Sequence, residues 1–163
     1  MLLEVKGQCQ ACGQNYKIII TKDFLSQNCN ECGESPNKIK LFKGLIYVVK
    51  NPNQTGVKVG LTTKSIEDRL KSLNSTGVPG KFAVQVIFPS DRPKEDEKKA
   101  HDKLQRHRLD KEHFDLNPLE AALNIYTALN RRLPLFYNNI LRKEFDEELG
   151  RRRREMERRL NGN

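Results

Sequence analysis

The chain has 163 residues, of which 36% are hydrophobic and 31% are charged, and its formal net charge is +9 at pH 7. This length supports one modest hydrophobic core with a small accessory unit, and it excludes a large multidomain enzyme. No segment approaches the roughly 20 apolar residues that span a bilayer, and the N-terminus lacks a signal-peptide pattern, so we expect a soluble cytoplasmic protein with no membrane partner.

The excess of positive charge predicts a polyanionic partner. Lys and Arg outnumber Asp and Glu in residues 1–43, in residues 44–116 and in residues 117–163, so the charge is not confined to one tail. Phosphates attract basic surfaces whatever the base sequence, which favours nucleic acid. The alternative is a charge that serves solubility alone.

Two cysteine pairs near the N-terminus predict a metal site. Cys9 and Cys12 are separated from Cys29 and Cys32 by sixteen residues, a spacing typical of two knuckles that close one tetrahedral zinc site. In a reducing compartment clustered thiolates need a cation, although unligated thiols and an iron–sulfur centre stay open. A four-cysteine site leaves no position for water, so its Zn²⁺ is structural. We predict a zinc ribbon over residues 1–43 that requires the metal to fold.

From residue 44 onward the pattern changes to short strands and helices. The expected elements are strands over 45–49, 57–59 and 82–88, a helix capped by Ser65, a charged helix over 93–108, a helix from Pro118 to about Arg132, and a last helix over 135–160. Arginines 151–154 favour a nucleic-acid contact, but nearby glutamates favour a solvated helix equally. Apolar residues of this helix leave packing on the core or a homodimer open.

Two strand motifs and two charged side chains resemble a known family. The run from Gly44 to Tyr47, followed by the run from Lys58 to Gly60, resembles the strands that name the GIY-YIG endonucleases. Arg69 and Glu97 match that family's arginine and metal-binding glutamate in order. The resemblance covers residues 44–116 and is nearest to the branch found in phage and mobile-element proteins, which implies the nucleoid or a host-cell cytoplasm as the location.

The resemblance implies a fold and a set of roles. The fold is α+β, with a small central antiparallel sheet flanked by helices, preceded by the zinc ribbon and followed by a helical extension. Tyr47 helps to activate water, Arg69 contacts the phosphate, and one Mg²⁺ or Mn²⁺ on Glu97 stabilises the leaving group. Lys58 stands where the family has a second tyrosine, and His101 is a candidate for proton transfer in its place.

The residues themselves also favour a site. Arg69 lies beside the apolar stripe of its predicted helix, where a charge is costly unless it borders a cleft. Glu97 shares a helix face with His101. Taken singly, each of these residues has a structural explanation, but together they predict a phenol, a guanidinium and a carboxylate that converge on one basic cleft.

The leading hypothesis is a metal-dependent endonuclease that hydrolyses phosphodiester bonds in DNA, with the zinc ribbon aiding substrate binding. RNA stays open as a substrate. The predicted domains are the ribbon over 1–43, the nuclease domain over 44–132 and a charged helix over 133–163. The alternatives are a nucleic-acid-binding protein that has lost catalysis, for which Lys58 is the best argument, and a zinc-dependent protein adaptor.

Overall fold

The structure is a computed structural model, and it describes the backbone of residues 3–20, 28–29, 31–36, 40–75, 77 and 79–161. The chain divides into two compact units, Met1–Leu41 and Phe42–Asn163. The predicted division into three domains, over 1–43, 44–132 and 133–163, stays a prediction. Among the described residues, no helix is both long and apolar enough to cross a membrane.

The N-terminal unit is built on a hairpin that the sequence analysis did not predict. Strand β1 (Leu3–Gln8) pairs antiparallel with β2 (Asn15–Ile20), so that Gly7 lies opposite Tyr16. A Cβ atom on Gly7 would lie 3.0 Å from the Tyr16 hydroxyl, which indicates that the ring crosses the glycine closely. The turn that joins the strands carries the first cysteine pair.

The second unit contains a six-stranded antiparallel sheet in the order β6-β7-β4-β3-β5-β8. Its strands are β3 (Gly44–Lys50), β4 (Val57–Thr62), β5 (Ala83–Ser90), β6 (Arg108–Asp110), β7 (His113–Phe114) and β8 (Leu135–Phe136). Its helices are α1 (Ile66–Leu73), α2 (Pro93–Leu104), α3 (Pro118–Ala128) and α4 (Asn139–Asn161). This mixed architecture confirms the predicted α+β class.

The two faces of the sheet have different partners. In β3, Ile46 and Val48 belong to the larger core, which also contains buried residues of α2, α3 and α4, whereas Tyr47 and Val49 belong to a smaller core that contains Ile66 of α1. This alternation follows from the two-residue period of a strand. The tyrosine of the first motif therefore faces α1, the helix that carries Arg69.

Three predicted helix boundaries are wrong. The second helix ends at Leu104 and not at Arg108, because a 3-10 turn over Gln105–His107 leads into β6. The third ends at Ala128 and not at Arg132, because Asn130 and Arg131 adopt φ values of 53° and 60°. The last begins at Asn139 and not at Leu135, because Leu135–Phe136 pairs with β5 as β8.

Two predicted helix starts are confirmed by their capping bonds. The Ser65 hydroxyl accepts a hydrogen bond from the Asp68 amide at 3.1 Å, and the Asn117 side chain accepts one from the Glu120 amide at 2.9 Å. The Glu120 carboxylate in turn accepts a hydrogen bond from the Asn117 backbone amide, which completes a capping box.

A buried carboxylate ties the first turn of α2 to the sheet. Asp96 is 3% exposed, accepts a 2.5 Å bond from the Ser90 hydroxyl, and forms a close ion pair with Arg132. Burial alone would raise the pKa of Asp96, but the bonds from Ser90 and Arg132 outweigh it and hold the pKa below its ordinary value. This contact fixes the start of the helix that carries Glu97.

We expect Asp96→Asn to lower the free energy of unfolding at pH 7 by about 1–3 kcal/mol, since a charge-assisted bond is lost at a buried site. The folded-state pKa lies below the unfolded value, so the wild-type contribution is complete above roughly pH 4 and is lost as the pH falls through the folded-state pKa. Urea titrations at several pH values should show the difference between the proteins shrinking in acid. Asp102→Asn, on the exposed side of the same helix, is the control.

Candidate functional site

The four cysteines of the N-terminal unit lie together. Their Sγ atoms are all within 4.8 Å of one another, with Cys9 to Cys32 and Cys12 to Cys29 both at 3.8 Å. This confirms the clustering predicted from the spacing. Four thiolate sulfurs at such distances suit one tetrahedral ion.

The two cysteine turns have the same backbone geometry. The Gly13 amide donates to the Cys9 carbonyl at 2.8 Å, and the Gly33 amide donates to the Cys29 carbonyl at 2.9 Å. Both glycines have positive φ values, 73° and 74°, a conformation that side chains other than glycine rarely adopt. Two equivalent knuckles thus present two sulfurs each.

The thiols differ in their protonation. Backbone amides of Cys12 and Ala11 lower the pKa of Cys9 to about 7. The amide of Glu34 favours the thiolate of Cys32, but desolvation and the neighbouring cysteines outweigh it and raise that pKa to about 12. Four thiolates therefore do not form together without a cation that neutralises them.

The second unit has a cleft of about 460 Å³ beside strand β4. Its lining includes Arg69 from α1, Glu97 from α2, and Glu112 from the turn between β6 and β7. Two of these residues were predicted from the sequence to belong to a site, and Glu112 was not. The cleft therefore gathers side chains from parts of the chain that are distant in sequence.

Tyr47 is buried and contacts Arg69 from below the surface of the cleft. The Arg69 Nε donates a 3.0 Å hydrogen bond to the Tyr47 hydroxyl, and the guanidinium carbon is 5.6 Å from the ring centroid. Tyr47 is 0% exposed, and burial raises its pKa above the ordinary value, although the bond from Arg69 opposes this shift. The negative charges of Glu112 and Glu97 raise the pKa further. The phenol thus supports the guanidinium and is not itself at the surface.

Gly60 provides the space for that phenol. A Cβ atom at this position would lie 2.6 Å from the Tyr47 hydroxyl and 3.3 Å from the Glu112 carboxylate. The first of these distances is shorter than real Cβ atoms show. The glycine of the second motif therefore has a steric role. It allows the strand β4 to pass under the tyrosine of the first motif.

Lys58 is paired with Glu112. The ammonium lies 2.5 Å from Oε2, and the lysine side chain is 14% exposed. The main chain of Glu112 is held as well, because its carbonyl accepts a 2.9 Å bond from the Val59 amide. The preceding Lys111 adopts φ 39°, so a tight turn delivers Glu112 to this place. The sequence does not reveal this contact, because it depends on a turn at Lys111 and on a partner 54 residues away.

Glu97 and His101 bind the outer edge of β4. Glu97 Oε1 accepts from the Leu61 amide at 2.9 Å, and His101 Nε2 lies 3.0 Å from the Val59 carbonyl. A carbonyl only accepts, so this ring nitrogen carries the proton and is not a free base. The short strand β7 pairs with Val57 and Lys58 of β4, and side chains of α2 bond the backbone further along the same edge. Among the described residues, the other carboxylate oxygen of Glu97 forms no hydrogen bond.

The predicted site residues thus take different places. Arg69 and Glu97 line the cleft, Tyr47 stands behind Arg69, Lys58 reaches the cleft through its partner Glu112, and His101 is engaged with the strand edge. The catalytic roles assigned to them stay predictions. The expectation of a basic cleft is wrong, because the carboxylates of Asp68, Glu97 and Glu112 offset the cations of Lys58, Lys64 and Arg69.

The sheet, its flanking helices and the cleft beside β4 define a small α+β domain with a polar surface cleft. The model of the T5orf172 domain matches residues 44–130, more than half of the chain. The protein belongs to the T5orf172 domain family, a phage-associated domain found in the context of endonucleases. No curated protein and no solved structure gives a significant match.

Proposed function

We propose that the protein is a metal-dependent endonuclease of the GIY-YIG type that hydrolyses phosphodiester bonds in DNA. The observation that carries this proposal is the cleft in which Arg69 and Glu97 lie together, with the Tyr47 phenol bonded to Arg69. These are the guanidinium, carboxylate and phenol that the resemblance requires. The T5orf172 match supports a nuclease-like or DNA-binding role.

The side chains suit the needs of phosphodiester hydrolysis. The Arg69 guanidinium neutralises charge on the phosphoryl oxygens, and its bond to Tyr47 fixes its orientation before substrate binds. Glu97 would hold Mg²⁺ or Mn²⁺ through its second oxygen, a hard ligand of the kind that these ions prefer. When bound, that ion supplies charge stabilisation for the leaving oxygen.

Tyr47 has two roles in this proposal. In the free protein its oxygen accepts from Arg69, so its own proton is directed away from the guanidinium. Assisting water, as the resemblance implies, requires substrate binding to bring that water to the buried phenol. Lys58 adds a second cation for the phosphate, held by Glu112. His101 assists proton transfer only through Nδ1, since Nε2 is engaged.

We propose that the four cysteines hold one structural Zn²⁺ and that the ribbon so formed aids substrate binding. The mutual distances of the sulfurs and the closed set of four thiolates support a structural ion. Metal analysis of the purified protein separates zinc from an iron–sulfur centre. Dimerisation through α4 stays a prediction, which the mass in solution would decide.

The test is cleavage of DNA that requires Mg²⁺ or Mn²⁺. Glu97→Gln should lower the rate by roughly 10²–10³-fold, because the ion loses its charged ligand. The amide oxygen of Gln still accepts from the Leu61 amide, so the strand edge and DNA binding should be preserved. Glu95→Gln removes the same charge from the exposed side of the helix and should cleave normally. Equal activity of the two variants would rule out a metal-binding role for Glu97.

A second candidate is a nucleic-acid-binding protein without catalysis. Lys58 in place of the second tyrosine favours it, as does its tight pairing with Glu112. This candidate predicts binding that persists without divalent ions, and no cleavage of duplex, branched or single-stranded DNA or of RNA. A protein adaptor would instead show affinity for nucleic acid that is absent or independent of salt.

A further inference from the structure

The charges of the cleft balance one another, so surfaces around the cleft must help to hold the nucleic acid. Lys58 and Glu112 form an ion pair, and the cleft is also lined by Lys64, Arg69, Asp68 and Glu97. These three cations and three carboxylates cancel, so without a divalent ion the cleft attracts a phosphate weakly. The backbone on either side of the scissile bond must be bound by neighbouring surfaces, and this inference rests on the proposed function of the cleft.

Helix α2 carries two lysine pairs with the same spacing on opposite flanks. Lys94 precedes Glu97 by three residues and Lys98 precedes His101 by three, so both lie on the flank that faces the cleft and the edge of β4. Lys99 and Lys103 lie on the other flank, where Lys99 is 3.8 Å from Asp96. Each pair spans four residues, or about 6 Å along the helix.

The cleft-side lysines form no close ion pair with the acidic residues that the structure describes around them. Lys94 and Lys98 are exposed, and in the part of the chain that the structure describes neither has an ion pair within 4 Å. The acidic neighbour Glu95 pairs with Arg92 instead. Like charges four residues apart repel by a few tenths of a kcal/mol, a cost that a bound phosphate removes.

The surface on the opposite side of the cleft is less suitable. The first turn of α1 carries Glu67 and Asp68, and Asp68 lines the cleft together with Lys64. These carboxylates repel a phosphodiester backbone and offset the charge of that lysine. The cleft therefore has mixed charge on the side of α1, whereas Lys94 and Lys98 of α2 form no ion pair within 4 Å among the described residues.

Two arginines of α4 are paired with glutamates of the same helix. Arg151 bonds both Glu148 and Glu155, and Arg152 also bonds Glu148. These two charges are satisfied within the helix, so their net attraction for phosphate is reduced. Helix α4 also packs on β8, where the rings of Phe136 and Phe145 have centroids 5.1 Å apart, and β8 lies three strands away from β4 in the sheet. The flank of α2 beside the cleft is therefore the better candidate for a phosphate contact.

We propose that Lys94 and Lys98 bind consecutive phosphates of a DNA duplex as its backbone leaves the cleft over α2. The contacts are with phosphate oxygens, so they position the DNA and do not read its sequence. Each contact releases condensed counterions, which makes its contribution measurable as a salt dependence.

The experiment compares two double variants of the full-length, zinc-loaded protein that have identical charge changes. Lys94→Gln with Lys98→Gln should weaken binding of a short duplex about tenfold at 100 mM salt and lower the slope of log affinity against log salt by about two. Lys99→Gln with Lys103→Gln should stay within about threefold of wild type with an unchanged slope. Fluorescence anisotropy without divalent ions measures both, so cleavage does not enter.

Each outcome decides the proposal. Equal losses in the two double variants would mean that only overall charge matters, and no loss in either would mean that α2 does not contact DNA, so both results overturn it. A loss with single-stranded DNA or RNA but not with the duplex overturns the assignment to duplex. A loss of duplex binding in the Lys94 and Lys98 variant alone supports the proposal. If the wild-type protein bound the duplex but did not cleave it, only the proposed endonuclease activity would be contradicted.

Discussion

Removal of the proposed Zn²⁺ should unfold the N-terminal unit and leave residues 42–163 folded. Among the side chains of that unit that the structure describes, only Cys9, Cys29 and Pro36 are buried, and two of these three belong to the cysteine cluster. Binding of a structural Zn²⁺ contributes about 10–16 kcal/mol in comparable small sites, and that free energy is also folding free energy.

The measurement is hydrogen exchange of the full-length protein before and after chelation. Protection should disappear from the β1–β2 hairpin and persist in β3, β4 and β5. Cys29→Ser should give the same pattern without chelator and should lower the bound zinc well below one ion per chain. A hairpin that keeps its protection in the metal-free protein would show that the cysteines are not the basis of its stability.

The central part of the fold could be predicted because its signals are local. The strand β3 follows from a run of β-branched and aromatic residues, and the helices α1 and α3 follow from the capping residues Ser65 and Asn117. The two cysteine knuckles could be predicted for the same reason, since each is set by a few neighbouring residues. In all these cases the determining interactions lie within one turn or one strand.

The outer strands could not be predicted in this way. The strands β6, β7 and β8 have two or three residues each, too few for a periodic pattern, and they form because a neighbouring edge is available. Pairing with β5 therefore overrides the helical pattern that the sequence suggested around Leu135. The same reason explains why the predicted helix over 93–108 is too long.

The candidate site was only partly visible in the sequence. Arg69 and Glu97 were identified from a resemblance and from their places on helices, and both line the cleft. Glu112 was given no role, because its importance depends on a partner, Lys58, that is 54 residues earlier and on a turn at Lys111. The expectation of a basic cleft overlooked Asp68 as well, which lines the cleft together with Glu97 and Glu112.

The largest steric effect at this site is expected for Gly60→Ala. The added methyl would lie 2.6 Å from the Tyr47 hydroxyl and 2.8 Å from the ring carbon that bears it. Tyr47 is completely buried, so the ring has no free space and must shift with its strand or give up its bond to Arg69. Overpacking of this kind costs roughly 1–3 kcal/mol, and we expect at least a hundredfold loss of cleavage because the guanidinium loses its support.

A matched glycine separates this effect from that of any added methyl group. Gly150→Ala in α4 would meet only the flexible end of Arg154 at 3.3 Å, so it should be neutral or stabilise the helix by up to about 1 kcal/mol. Combining Gly60→Ala with Tyr47→Phe removes the nearest atom of the clash, so the second substitution should destabilise the Gly60→Ala protein less than it destabilises wild type. Strictly additive losses of stability would mean that the methyl group does not act through the phenol, and the support of Arg69 by Tyr47 would then have to be explained without Gly60.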